Sequence, residues 1–401
     1  MSRSSPSACT QPTDVRHFAH LAPDELERLF HVEPQEFTAQ DDRALLAVAL
    51  GATLYLPGTR PAIAADLVRR AAQGVTSAVV CLEDAIADRD VPAAEANLVA
   101  QVRSLAESGA AGPLVFVRVR TPDQVDRVVE GLGEHAGALS GFVIPKFTEA
   151  TGTDFLDAVA VASERTGHRY FAMPILESAE VIHRETRTDA LVGIRRVLDK
   201  HRERVLAVRI GATDLSSAYG IRRSRDLTIY DVLPVAQVIA DVVNVLGRAD
   251  DTGFVVTGSV WEYFEGQERL LKPQLRESPF IEHDERALRA RLIRTALDGL
   301  IREIVLDKAN GITGKTVIHP SHVAAVHALS VVTHEEYSDA AHVLGVDMAD
   351  GGVAASGYRN KMNEAKPHRA WAERTMLRAH VFGVSGEDVS FVDLLGASTA
   401  T

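Results

Sequence analysis

From about residue 50 onward, short runs of apolar, often β-branched residues alternate with longer amphipathic segments, one such pair every 30 to 40 residues or so. The apolar runs predict strands at Thr53–Leu56, Ala78–Leu82, Leu114–Val119, Gly141–Pro145, Tyr170–Leu176, Leu206–Ile210, Phe254–Thr257 and Thr316–Ile318. Between them, segments such as AADLVRRAAQ, AAEANLVAQVRSLAES, DQVDRVVEGLGEH, FLDAVAVASERTG, IRRVLDKHRE and VAQVIADVVNVLG read as helices. The strand runs are continuous rather than alternating, which is the pattern of parallel strands buried on both faces. Eight such βα units predict an α/β chain folded as a (β/α)8 TIM barrel, with a doubly wound open sheet as the competitor.

The pattern is different at both ends. Residues 1–45 open with SRSSPSACTQPT and continue into APDELERLF, which predicts a tail and an entry helix. Residues 46–335 are the expected barrel and catalytic domain. The segment near 220–282 is longer than a βα unit requires; it carries Arg222, Arg223 and Arg225, then a helix, then the aromatic text VWEYFEGQ. Residues 336–401 predict a C-terminal helical appendage that packs on its own barrel or on a neighbouring subunit.

Composition narrows the function. A hydrophobic content of 46% suits a large core and excludes disorder as the main state, and a net charge of −12 without any basic block argues against nucleic-acid or membrane-surface partners. Cys9 and Cys81 cannot build a disulfide framework or a thiolate metal site. With no signal-like or membrane-spanning apolar stretch, the expectation is a soluble cytoplasmic protein.

In a barrel the strand C-termini converge on one face, so polar residues just past an apolar run carry the chemistry. These are Glu83 and Asp84, Arg118 and Arg120, Lys146, Glu177, Asp214, and Lys315 with His319. Glu177 and Asp214 follow adjacent predicted strands and would share one end about 4.8 Å apart, where two anions require a proton or a cation. Oxygen ligands alone favour Mg²⁺ or Mn²⁺, although each carboxylate could instead cap a helix or pair with a base. Gly211, Ala212 and Thr213 precede Asp214 at an expected helix start, where small residues and free N–H groups suit a carboxylate or phosphate. Arg118 at a strand end can clamp a planar carboxylate or pair with Glu83 or Asp84, and Lys146 adds positive potential. A structural role suits His319 better than proton transfer.

Taken in order, YLPGTRP, VVCLEDAI, FVRVR, FVIPKF, MPILES, RIGATDLS and GKTVIHPSHV resemble the motifs of the citrate lyase beta-subunit-like family, in the aldolase and citrate lyase group that also contains malyl-CoA lyases. The resemblance runs from about Thr53 to Val323, weakens towards Arg378, and is to a longer, divergent branch. It implies a divalent-metal lyase that cleaves or forms a carbon–carbon bond beside a 2-oxo acid. By that resemblance Glu177 and Asp214 match the metal-binding carboxylates, Arg118 and Arg60 match substrate-holding arginines, and Glu83 with Asp84 match the acidic pair that positions water and Arg118. Relatives of the malyl-CoA lyase type place an acid where Lys361-Met362-Asn363-Glu364 stands here, which makes Glu364 the counterpart that would reach a neighbouring subunit's site in a homo-oligomer. Cys81 stands where many relatives have an acid and Arg120 where they have Asn; with the long 220–282 segment, these departures weigh against a CoA thioester substrate.

The leading expectation is a Mg²⁺-dependent aldol- or Claisen-type lyase acting on a small 2-oxo acid or hydroxyacyl substrate. The alternatives are phosphoryl or phosphoenolpyruvate chemistry, suggested by Arg222, Arg223 and Arg225, and a non-catalytic metabolite-binding protein within a biosynthetic complex, suggested by Cys81 and Arg120.

Overall fold

The computed structural model describes residues 14–264, 297–346 and 352–400. Eight parallel strands close into a barrel in chain order. They are β1 (Ala52–Pro57), β2 (Ser77–Cys81), β3 (Leu114–Arg118), β4 (Gly141–Ile144), β5 (Phe171–Leu176), β6 (Val208–Ile210), β7 (Val256–Trp261) and β8 (Lys315–Val317). The pairs Ala52↔Lys315 and Leu54↔Val317 join β8 to β1, so the sheet is closed and the open-sheet alternative is excluded. Helices cover the outside, and local sequence ends them. The Thr148 side chain accepts the Thr151 N–H at the start of helix Glu149–Thr166, and Gly167, at φ 72°, terminates it in the left-handed conformation.

The strand boundaries shift by a few residues from the sequence reading, and two of the shifts matter for the site. β7 continues past Thr257 to Trp261: Gly258 and Ser259 interrupt the apolar text, but pairing to β8 resumes across an irregularity between Gly258 and Trp261. β8 begins at Lys315, so this lysine lies at the opposite end of the barrel from the mouth where the sequence placed it.

Residues paired in register face the same way, and the contacts of Arg209 with Thr53 and Thr316 identify the inward set. By register this set includes Thr53, Tyr55, Cys81, Arg118, Met173, Ile175, Arg209, Thr257 and Thr316. Outside the strands, Lys315 turns into the wall. Its Nζ donates to Glu303 Oε1 at 2.8 Å and Asp307 Oδ2 at 2.7 Å, both on helix Leu297–Ala309. Arg223 pairs with the same Glu303 and donates to the Val260 carbonyl at 2.6 Å, while Tyr230 donates to Asp307 Oδ1 at 2.7 Å. Arg223 is thus buried in the wall, with its Nε 3.9 Å from Glu262 Oε2 just past β7; Arg222 and Arg225 are exposed.

The two chain ends meet below the barrel. Helix Pro23–Leu29 leads to strand Phe30–Val32, which pairs antiparallel with Val384–Ser385. Helix Arg43–Ala49 enters β1 over the buried His17 and His327; His17 Nε2 lies 3.0 Å from the Ala49 carbonyl oxygen, and His327 Nε2 accepts the Ala52 N–H at 3.1 Å. The appendage consists of helix His334–Gly345, the hairpin Val353–Ala355 with Met362–Glu364, helix Ala365–Phe382 and helix Phe391–Ala400. Among the described residues no helix is long and apolar enough to cross a membrane. Cys9, residues 265–282 of the enlarged segment and residues 347–351 of the appendage lie outside the described residues.

Candidate functional site

Five consecutive strands deliver charged residues to the barrel mouth. Glu83 and Asp84 follow β2, Arg118 ends β3, Lys146 follows β4, Glu177 follows β5, and Asp214 lies beyond β6. Arg118 is the hub. Its Nη2 lies 2.6 Å from Glu83 Oε2, 3.0 Å from Asp84 Oδ2 and 3.1 Å from Glu177 Oε1. Lys146 Nζ donates to Glu83 Oε1 at 2.6 Å and lies 3.3 Å from Asp84 Oδ2, and its backbone N–H donates to Glu177 Oε1 at 3.1 Å. That backbone is at φ 47°, a conformation costly for a residue with a Cβ and held here by the surrounding bonds.

The electrostatics follow from this crowding. Burial pushes the Glu177 carboxyl up to about 8; Arg118 opposes the shift and the neighbouring Asp214 carboxylate adds to it. Burial also works against ionisation of Asp84, but hydrogen bonding with Glu83 and the charges of Arg118 and Lys146 prevail and hold it below the usual carboxylate range. Burial disfavours the charge on Lys146 as well, and Glu83 and Asp84 overcome it and raise its pKa. Four carboxylates face two cations, so with every group ionised the mouth carries 2 − 4 = −2.

That imbalance is the test of fit for a divalent cation. Glu177 and Asp214 are close enough to share a proton, their oxygens are hard donors, and among the described residues no set of three His, Cys, Asp or Glu converges as a complete cage. Two carboxylates that leave further positions to water and substrate oxygens suit Mg²⁺. Glycine at 211 is required by this packing, because a Cβ there would collide with the Glu177 carboxylate. Helix Ala212–Ser217 starts immediately after Gly211, so Asp214 stands inside its first turn rather than ahead of the helix as expected from the sequence.

The other predicted residues lie elsewhere. Arg60 is not joined to the cluster; its Nε pairs with Asp66 Oδ2 at 2.5 Å, and Asn97 holds its turn through the Gly58 and Arg60 carbonyls. Ala212 is buried, and Thr213 donates to Glu262 Oε1 at 3.2 Å. Glu364 is exposed at the start of helix Ala365–Phe382, where its backbone N–H bonds His368, away from the mouth of its own chain. His319 caps the Pro320–His322 turn and stacks on Phe264 at 4.6 Å.

Two residues, Glu262 and Arg209, escaped the sequence reading, and Arg120, which it named, has a role it did not foresee. Glu262 reaches the rim because β7 runs further than its apolar text, and the β-branched and aromatic pair Val260-Trp261 was the available signal. Arg120 ties down the acidic loop by donating to the carbonyls of Leu82, Glu83 and Ile86 and pairing with Asp88. Arg209 fills the lumen, and its signal was a basic residue at an inward position of a buried strand.

Residues 44–384 match the family model described as C-C bond lyase of the TIM-barrel fold. Among solved structures, a citrate lyase from Burkholderia xenovorans LB400 is 14% identical, covering 86% of this chain and 96% of its own at a TM-score of 0.57. The CitE protein from Mycobacterium tuberculosis, in complex with magnesium, acetoacetate and coenzyme A, is 19% identical, covering 83% of this chain and 99% of its own at a TM-score of 0.50. At these identities the likeness is one of fold. Comparison with curated proteins finds no match.

Proposed function

Because the chain belongs to the C-C bond lyases of the TIM-barrel fold, we propose that it is a Mg²⁺-dependent lyase that breaks or forms a carbon–carbon bond beside a small 2-oxo acid. The observation that carries this reading is the pair Glu177 and Asp214 on neighbouring strands, one of them holding a proton to about pH 8 that a divalent cation would displace. These two residues would hold the ion. When bound, Mg²⁺ supplies Lewis-acid stabilisation of the negative charge that builds on the 2-oxo acid as the bond breaks.

The remaining groups act as a frame. Arg118 keeps Glu83, Asp84 and Glu177 in place and offsets their repulsion, and Lys146 draws the Glu83–Asp84 pair towards the substrate side. Gly211, with no Cβ, lets the Glu177 carboxylate pack against the start of helix Ala212–Ser217, whose first turn carries Asp214. Asp84, with its side chain 52% exposed in the mouth cluster, and Glu262, 22% exposed on the rim outside that cluster beside Arg223, are open enough to exchange a proton with a substrate. Glu364 lies away from its own mouth, so a proton-handling role for it requires a neighbouring subunit in a homo-oligomer. The M. tuberculosis CitE complex with magnesium and acetoacetate supports metal and oxo-acid occupancy of this kind of barrel.

The test is calorimetric titration of Mg²⁺ and then oxalate, an enolate mimic, together with exchange of the pyruvate methyl protons in D₂O followed by NMR. The intact protein should bind both and show Mg²⁺-dependent exchange, and Asp214→Asn should lose all three. Undiminished Mg²⁺ affinity in Asp214→Asn would overturn the proposal. Pairing of the buried Arg223 with Glu303 leaves the exposed Arg222 and Arg225 as the support for phosphoryl chemistry.

A further inference from the structure

The lumen below the mouth holds a charge for which nothing in the mouth or the wall compensates. Arg209, in the middle of β6, is 1% exposed. Its Nη2 donates to Thr316 Oγ1 at 2.6 Å, and its Nη1 lies 3.4 Å from Thr53 Oγ1 and 3.5 Å from Met173 Sδ. The guanidinium carbon sits 5.6 Å from the centre of the Tyr55 ring. None of these neighbours is a carboxylate, and the Arg118 guanidinium that acts on it carries the same sign. The other two buried arginines among the described residues each have a carboxylate: Arg187 has Asp241 at 2.9 Å and Arg223 has Glu303.

Two polar atoms beside this charge are also unsatisfied. Arg209 Nε and Thr257 Oγ1 are both buried without a hydrogen-bond partner, and the two residues are paired in register across β6 and β7. A guanidinium cannot shed its proton, and a lone buried charge costs several kcal/mol that two threonine hydroxyls and a ring face only partly offset. The two unsatisfied atoms, a guanidinium N–H and a hydroxyl, can both donate, and no carboxylate faces them, so the surroundings favour a negative charge. With Arg209 1% exposed, a small ion suits the site better than an organic acid.

We infer that the barrel lumen beneath the mouth is a binding site for a small monovalent inorganic anion of halide size, with Arg209 as its cation and Arg209 Nε and Thr257 Oγ1 as its free donors. This site is independent of the lyase chemistry. The experiment is thermal unfolding of the full chain in EDTA at constant ionic strength, with sodium bromide replacing sodium gluconate, alongside bromide anomalous diffraction. The wild-type melting temperature should climb with bromide and the folding equilibrium should shift about a hundredfold at a bromide concentration one hundred times its dissociation constant. Thr257→Val, which keeps the charge and the packing volume, should need on the order of tenfold more bromide for the same shift, the worth of one hydrogen bond to a charged group. Arg209→Met should not respond, and the anomalous peak should lie within hydrogen-bond reach of Arg209 Nε. If the wild type is indifferent to the exchange of bromide for gluconate, if Arg209→Met or Thr257→Val responds like the wild type, or if bromide is found only outside the lumen, the inference fails; the wild-type and Thr257→Val results decide it even if Arg209→Met does not fold.

Discussion

The mouth and the wall of this barrel each hold a cluster of acids and bases, and they differ in how the charges balance. In the wall, Glu303 and Asp307 meet Arg223 and Lys315, so 2 − 2 = 0, and all four side chains are at most 5% exposed. At the mouth, Glu83, Asp84, Glu177 and Asp214 meet only Arg118 and Lys146, and the surplus is negative. In a sealed cluster an unbalanced charge is costly because water cannot compensate it; an open cluster can keep an imbalance that a ligand completes. Burial and ion pairing are therefore common to both regions, and net charge separates the structural cluster from the functional one.

The comparison is broken most severely at the wall. Lys315→Met leaves Glu303 and Asp307 with one cation between them, and should cost about 3–5 kcal/mol of stability by denaturant unfolding while leaving Mg²⁺ affinity of the folded protein unchanged. Glu177→Gln should do the reverse. Outer partners of a metal site are worth 10- to 100-fold, so loss of a direct ligand should weaken Mg²⁺ binding by about 100-fold or more in calorimetry. Its metal-free melting temperature should hold below about pH 8, because the carboxyl it replaces is already neutral there. If both variants lose stability equally, the distinction between the clusters is lost.

A subtler test uses pH. Glu177 carries a proton up to about pH 8 in the folded, metal-free protein, and Mg²⁺ must expel it. Affinity should therefore rise about tenfold per pH unit from pH 6 to about 8 and flatten above it. A flat profile across that range would mean that Asp214 binds alone. The smallest effect is expected at the rim: Thr213→Val removes the 3.2 Å bond to Glu262 and should cost at most about 1 kcal/mol in a thermal melt, with Mg²⁺ affinity unaltered.

The barrel was legible because each parallel strand is buried on both faces and writes itself as a short apolar run; Ser77–Cys81, buried at every residue, is the plainest case. Most of the mouth was legible for the related reason that a polar residue directly after such a run has only one end of the barrel to occupy, as Glu83, Lys146 and Glu177 do. The reading failed where that rule meets an irregular strand. Gly258 and Ser259 hid the last part of β7 and with it Glu262, and Lys315 was assigned to the mouth although it opens its strand and turns outward. Arg60 was assigned by its motif, but the close carboxylate of Asp66 on the following helix claims it.

The amino-acid order alone thus determined the number of strands, their parallel closure and the ring of acids and bases at their ends, because these follow from periodicity and burial along a single segment. Which charges neutralise each other was decided only by the tertiary structure. Arg118 takes three carboxylates from two other strands, Arg223 leaves its basic run for a glutamate eighty residues away in sequence, and Arg209 ends in the lumen with no carboxylate partner. Pairing energy depends on distance and on the water excluded around each pair, and both are set by packing between segments that the linear pattern does not relate.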